Sequence, residues 1–120
     1  CVIVSGGMQK NRIVAAGYNG FLPGASQASG VRNGQDGAPL HAEQNAICQA
    51  AKHGISLEGC TLFCKMEPCR VCAMLIISVG ITKVVARKKY HAAQDTREMF
   101  QQAGVELVVV EQEVEQYSLQ

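Results

Sequence analysis

Apolar positions fall into short strand-like runs near the two ends of the chain and longer helix-like stretches in its middle. Cys1 to Ser5 and Arg12 to Tyr18 are short apolar runs on either side of Gly6-Gly7, which predicts two strands joined as a hairpin. From Asn19 to Pro39 the rhythm stops, and Gly, Ser, Ala, Asn and Gln dominate. A loop of that length in a compact domain is usually functional or mobile. A helix is predicted from about Leu40 to His53, halted at Gly54, with Ala42, Ala46, Ala50 and Ala51 small enough for close packing. Thr61 to Lys65 reads as a strand. Cys69 to Val79 is almost entirely apolar and stops at Gly80, as a buried helix would. Lys83 to Ala86 reads as another strand. A helix follows from about Asp95 to Ala103, capped by Asp95 or Thr96 and closed by Gly104, and Val105 to Val110 is a further strand. The acidic tail from Glu111 is expected to be a solvated helix or extension. Strands alternating with helices predict a layered α/β domain with parallel pairing among the later strands.

Composition narrows the class. At 120 residues the chain is expected to form one domain, 1–120, and 48% hydrophobic residues suffice for a core. A net charge of +1 offers no broad basic footprint, so no nucleic-acid partner is expected. No apolar run reaches the length of a membrane span, so no membrane partner is expected either. Of the six cysteines, those outside the motif described next lie in strand-like or helix-like stretches, as reduced cysteines of a cytoplasmic protein do. The chain opens directly in a strand at Cys1 without an initiator methionine, and an N-terminal helix is expected to precede it.

The chemistry sits in two short segments, His41-Ala42-Glu43 and Pro68-Cys69-Arg70-Val71-Cys72. A hydrolytic zinc site takes three protein ligands and leaves the fourth position to water. His41, Cys69 and Cys72 supply the three, and Glu43 stands two residues from the histidine, where it can handle the water's protons. Pro68 suits the first turn of a helix, and the two cysteines, three apart, share one face of that turn. Both segments fall at predicted helix starts, so two helix N-termini can converge on one Zn2+. A redox dithiol or half of a structural zinc knuckle are the bland alternatives. The first needs no His-x-Glu partner. The second wants a fourth ligand, which Cys1, Cys48, Cys60, Cys64, His53 or His91 would have to provide. Cys64 is the nearest of these in sequence, and its strand position predicts burial.

The order H-x-E and then P-C-x-x-C is the signature of zinc nucleobase deaminases. The chain resembles the cytidine and deoxycytidylate deaminase family, and within it the deoxycytidylate (dCMP) branch. Gly17-Tyr18-Asn19-Gly20-Phe21, His41 to Ile47, Glu67 to Ile77, Gly80-Ile81, Lys89-Tyr90-His91 and Ala103-Gly104-Val105 carry the likeness. It departs at Pro39-Leu40, where Val-Cys is usual, at the neutral run Pro23 to Gln27, and at Ala92, where aspartate is usual.

The resemblance implies a three-layer α-β-α cytidine deaminase-like fold with a five-stranded mixed sheet. It also implies hydrolytic deamination of a cytosine nucleotide, dCMP to dUMP, with Glu43 shuttling protons. It further implies that Asn19 bonds a sugar hydroxyl, that the Ala42 N–H meets the pyrimidine carbonyl, and that Phe21 and Tyr90 pack against base or sugar. A small-molecule nucleotide as partner and a homo-oligomer, dimer or hexamer, follow by the same analogy. Asn19 can equally be a turn residue, since Asn-Gly is a common turn dipeptide. Tyr90 can equally serve packing, and His91 the surface. Arg87-Lys88-Lys89 is the one dense basic run, expected to be solvated surface or, alternatively, a contact for a 5′-phosphate. A free nucleoside, a free base, an adenosine in transfer RNA and a non-catalytic zinc-stabilised module stand as competing readings.

Overall fold

The computed structural model describes residues 1–6, 12–20, 31–32, 35–36, 40–111 and 114–115. In chain order the elements are β1 (Val2–Val4), β2 (Ile13–Ala16), β3 (Val31–Arg32), β4 (Gln35–Asp36), α1 (Ala42–Lys52), β5 (Thr61–Met66), α2 (Arg70–Ser78), β6 (Lys83–Tyr90), α3 (Gln94–Ala103), β7 (Glu106–Val109) and β8 (Val114–Glu115).

Alternation and chain connectivity dictate the sheet. β1 pairs antiparallel with its hairpin neighbour β2 and, on its other edge, with β5. β5, β6 and β7 are joined by crossover helices and run parallel. The order is β2-β1-β5-β6-β7, with β8 continuing past β7 along the far end of β6. The expected α/β architecture with a mixed sheet is therefore present. The long segment 19–39 holds a two-residue hairpin, β3 with β4, where a plain loop was expected.

Ile3, Leu62, Cys64, Val84 and Ala86 point to the buried face of the sheet, beneath Ala46, Ile47 and Ala50 of α1, Ala73 and Ile76 of α2, and Phe100 of α3. Leu62 and Ile76 are wholly buried, and each such side chain stabilises the fold by about 1.5–3 kcal/mol. Right-handed crossovers from β5 to β6 and from β6 to β7 put α2 and α3 on the same face. On the opposite face Val2, Phe63, Val85 and Val108 lie in one row across the sheet.

The ends of the elements differ from expectation in instructive ways. α2 starts at Arg70 with Cys69 as its N-cap, so Pro68 precedes the helix and does not occupy its first turn. α3 starts at Gln94 with Ala93 at its N-cap, and neither Asp95 nor Thr96 caps it. Thr96 is buried inside the first turn, and its hydroxyl serves another segment. Gly80 ends α2 at φ 86° and Gly104 ends α3 at φ 75°, a left-handed backbone that glycine adopts without Cβ strain. β6 runs on through Arg87-Lys88-Lys89 to Tyr90, where a strand ending at Ala86 was expected. The extension is held by β5 on one side, with Met66 opposite Lys88, and by β8 on the other. Strand alternation then sends Arg87 and Lys89 to one face and Lys88 to the other, so the run is not a single basic cluster. Arg87 lies 3.5 Å from the Glu111 carboxylate. In the acidic tail Val114–Glu115 form β8, the extended alternative of the two expected. No described helix is long and apolar enough to cross a membrane.

Candidate metal centre

α1 and α2 bring their N-termini together, because each begins directly after a strand or bridge at the same end of the sheet. His41 and Cys69 occupy the two N-cap positions, both in extended backbone. The Gln44 side-chain oxygen accepts the His41 N–H at 3.0 Å, and the His41 and Cys69 carbonyls accept the first helical bonds from Asn45 and Ala73, each at 2.9 Å. Cys72, at the third helical position of α2, faces back towards both. The Nδ1 atom of His41 lies 3.3 Å from Cys72 Sγ and 3.5 Å from Cys69 Sγ, and all three ligand atoms fall within 4.8 Å of one another.

Those distances fit zinc. Bonds of about 2.0–2.1 Å to nitrogen and about 2.3 Å to sulfur give tetrahedral edges of about 3.6 Å between nitrogen and sulfur. His41, Cys69 and Cys72 are thus positioned to bind a metal ion, and among the described residues they are the whole of the ligand group. Three ligands leave a tetrahedral ion one open position, which is the arrangement of a catalytic and not a structural site.

The sulfurs are electrostatically unequal. A hydrogen bond from the Cys72 thiol, opposed by burial and helped by His41, lowers the Cys69 pKa to about 5. The same bond, with burial and the Glu43 carboxylate, pushes the Cys72 thiol up. The positive end of α2 adds to the preference for the charged form at Cys69. Glu43, in the first turn of α1, directs its carboxylate at Cys72 and is also felt by Cys64. Cys64 is buried, as its strand position predicted. Desolvation first, and Glu43 next, hold its thiol well above the usual range, and it lies 3.1 Å from the Met66 carbonyl, to which it donates. It is a core thiol and not a fourth ligand. Cys1, Cys48 and Cys60 lie outside the ligand group, as do His53, whose ring meets the Gln49 carbonyl at 2.9 Å, and the exposed His91.

The Gly17-Tyr18-Asn19-Gly20 segment is docked on the start of α1. Gly20 and Leu40 exchange backbone bonds of 3.3 and 2.7 Å, and Asn45 Nδ2 donates to the Tyr18 carbonyl at 3.0 Å. A Cβ on Gly17 would come within 2.5 Å of the Ala46 nitrogen, so only glycine allows this approach. Asn19 Oδ1 accepts the Ala42 N–H at 2.8 Å. The two groups expected to meet substrate thus meet each other. Tyr90 is buried, with its ring edge-on to His91 at 4.8 Å, which is the packing alternative for that residue. Phe21 lies outside the described residues.

Three residues, Glu67, Thr96 and Arg97, were assigned no role at the site from the sequence. Glu67, wholly buried in its side chain, accepts Arg97 Nη2 at 2.6 Å and Nε at 2.8 Å, and the Tyr90 N–H at 3.0 Å. The carboxylate in turn raises the Arg97 pKa. Thr96 Oγ1 donates to the Pro68 carbonyl at 2.8 Å. An acid immediately before the metal-binding Pro-Cys was the available hint, but its partner lies thirty positions away.

Residues 1–88 match the family model of the cytidine and deoxycytidylate deaminase zinc-binding region. The chain is 32% identical over 108 residues to ComE operon protein 2 of Bacillus subtilis, covering 87% of this chain and 57% of that protein. It is 33% identical over 117 residues to the human deoxycytidylate deaminase, covering 88% of this chain and 62% of that one. The chain therefore spans less than two thirds of either relative. A crystal structure of the dCMP deaminase from cyanophage S-TIM5, in complex with dCMP and dUMP, superposes with a TM-score of 0.71 at 33% identity, covering 88% of this chain and 76% of that one. With its three candidate ligands converged on one point and residues 1–88 matched by the family's zinc-binding region, this chain belongs to the cytidine and deoxycytidylate deaminases.

Proposed function

We propose that the protein is a zinc-dependent hydrolase that converts dCMP to dUMP and releases ammonia. The observation that carries the reading is the convergence of His41, Cys69 and Cys72 with the Glu43 carboxylate beside them. The kinship with deoxycytidylate deaminases and the fold shared with a dCMP-binding enzyme favour the nucleotide over other cytosine compounds.

Bound zinc supplies Lewis acidity that brings the pKa of a water towards neutrality. Two thiolates offset the charge of the ion, so the proton traffic falls to Glu43. Its carboxylate takes the proton of the attacking water and delivers it to the ring nitrogen next to the amino-bearing carbon. A second proton, from the oxygen now added to that carbon, passes through Glu43 to the amino group. The exocyclic carbon–nitrogen bond then breaks, and dUMP and ammonia result. Asn19 and the Ala42 N–H form one wall of the base and sugar site, and a substrate carbonyl takes the Ala42 N–H when Asn19 releases it to bond the sugar. The protein acts as a homo-oligomer in the cytoplasm, and the exposed Val71 and Met74 on α2 are apolar surface suited to a subunit contact.

Ammonia release measured with dCMP and with deoxycytidine, side by side, tests the substrate. At least a tenfold higher kcat/KM for dCMP is expected. Turnover of deoxycytidine alone would replace the nucleotide with the nucleoside, and turnover of neither would remove the deaminase reading of cytosine compounds.

A further inference from the structure

Glu67 stands where the chain leaves β5 for the metal loop. Its own N–H still makes a ladder bond to the Lys88 carbonyl at 3.0 Å, but Pro68, which follows, has no N–H to continue the ladder. The Glu67 side chain takes over. It accepts the next N–H of β6, that of Tyr90, and closes the remaining side with Arg97. One residue on, the Pro68 carbonyl takes the hydroxyl of Thr96. Two successive residues of α3 therefore hold the two successive residues that lead into Cys69.

We infer that Glu67, Thr96 and Arg97 are positioning residues for the metal centre, fixing Cys69 Sγ against His41 and Cys72. Glu67 and Thr96 are the two buried polar side chains among the described residues, and both are committed to this one loop. A general packing role does not call for them, because buried ion pairs seldom outperform apolar side chains of similar volume. What they add is direction. The carboxylate accepts from three donors on two elements, and the guanidinium engages it through two parallel N–H groups, a geometry that tolerates little displacement. Groups behind the ligands of a metal site typically change its affinity by about 10–100-fold when removed. The chain from α3 to Pro68 to Cys69 plays that part here through the backbone.

The inference rests on the zinc reading of His41, Cys69 and Cys72, and the test separates the two. Zinc affinity is measured by competition with a chromogenic chelator, and the sulfur-to-metal charge-transfer band is recorded after Co2+ substitution. The proteins are the wild type, Thr96→Val, Thr96→Ser and Arg97→Lys. Thr96→Val preserves shape and the ion pair, so it tests the loop even where Glu67→Gln fails to fold. Expected are zinc affinity reduced about tenfold or more in Thr96→Val and Arg97→Lys, an altered cobalt band, and recovery in Thr96→Ser. Wild-type affinity and an unchanged band in Thr96→Val and Arg97→Lys would overturn the positioning role. A wild-type protein that binds neither zinc nor cobalt would overturn the metal reading and the inference with it.

Discussion

Arg97→Met isolates the energetics of the clamp. The substitution keeps the aliphatic stem but removes both N–H donors that reach Glu67 at 2.6 and 2.8 Å. The carboxylate left behind has a wholly buried side chain and still accepts the Tyr90 N–H. Removing one partner of a buried ion pair costs about 3–5 kcal/mol, because the other charge stays desolvated. The Arg97 side chain is 37% exposed, so water reaches the vacated side and places the cost near the lower end, at about 3 kcal/mol. For a domain of this size about 1 kcal/mol moves Tm by about 4 °C, so a fall of about 12 °C is expected. Urea unfolding of the zinc-loaded protein measures the free energy, and Glu67→Gln with the double variant completes a cycle. A coupling energy of about 1.5 kcal/mol or more is expected between the two positions. A cost of less than about 0.5 kcal/mol, the level of an ordinary surface substitution, would show that Glu67 and Arg97 do not act as a buried ion pair.

Gly17→Ala drives a Cβ to 2.5 Å from the Ala46 nitrogen and 2.6 Å from the Ala42 oxygen, backbone of α1 that cannot give way. A loss of about 2–3 kcal/mol in urea unfolding is expected, and an unchanged midpoint would show that the segment does not dock there. Cys64→Ala removes a buried thiol that does not bind metal, so zinc stoichiometry measured by atomic emission should stay at wild type while stability falls by about 1 kcal/mol. Loss of the metal would make Cys64 a ligand after all. In the reduced, metal-stripped protein, Cys69 is lowered from 9.0 to about 5, so between those values the unfolded chain holds a proton that the folded one has released. Stability should therefore rise with pH across that window and fall away as the pH drops through about 5, and Cys69→Ser should flatten the slope of the urea midpoint against pH.

The metal site was legible because its signal is local. His41 and Glu43 are two residues apart, Cys69 and Cys72 three, and the helix geometry that aims them follows from those spacings alone. The helix ends marked by Gly80 and Gly104 were legible for a similar reason, since a left-handed terminal residue favours glycine. The length of β6 was not. Arg87-Lys88-Lys89 has the composition of a solvated turn, and only the neighbouring strands hold it extended. Thr96 looked like a helix cap because a cap is what threonine does near a helix start on local information. Its partner, the Pro68 carbonyl, arrives from another part of the chain. Glu67 and Arg97 were hidden for the same reason, their pairing being set by the way α3 packs beside α2. Asn19 shows how a motif can mark a place without fixing a contact. It was matched as a substrate contact, and it stands at the site with its side chain on the Ala42 N–H.

In the proposed reaction Glu43 moves protons at a zinc ion held by His41, Cys69 and Cys72. Its most direct test is the zinc content and the rate of dUMP formation from dCMP for the wild type and Glu43→Gln, measured on the same preparations. One zinc per chain is expected in both proteins, with a fall in kcat of about 10²-fold or more in the variant. A Glu43→Gln protein that keeps its zinc and turns over at near the wild-type rate would exclude that role.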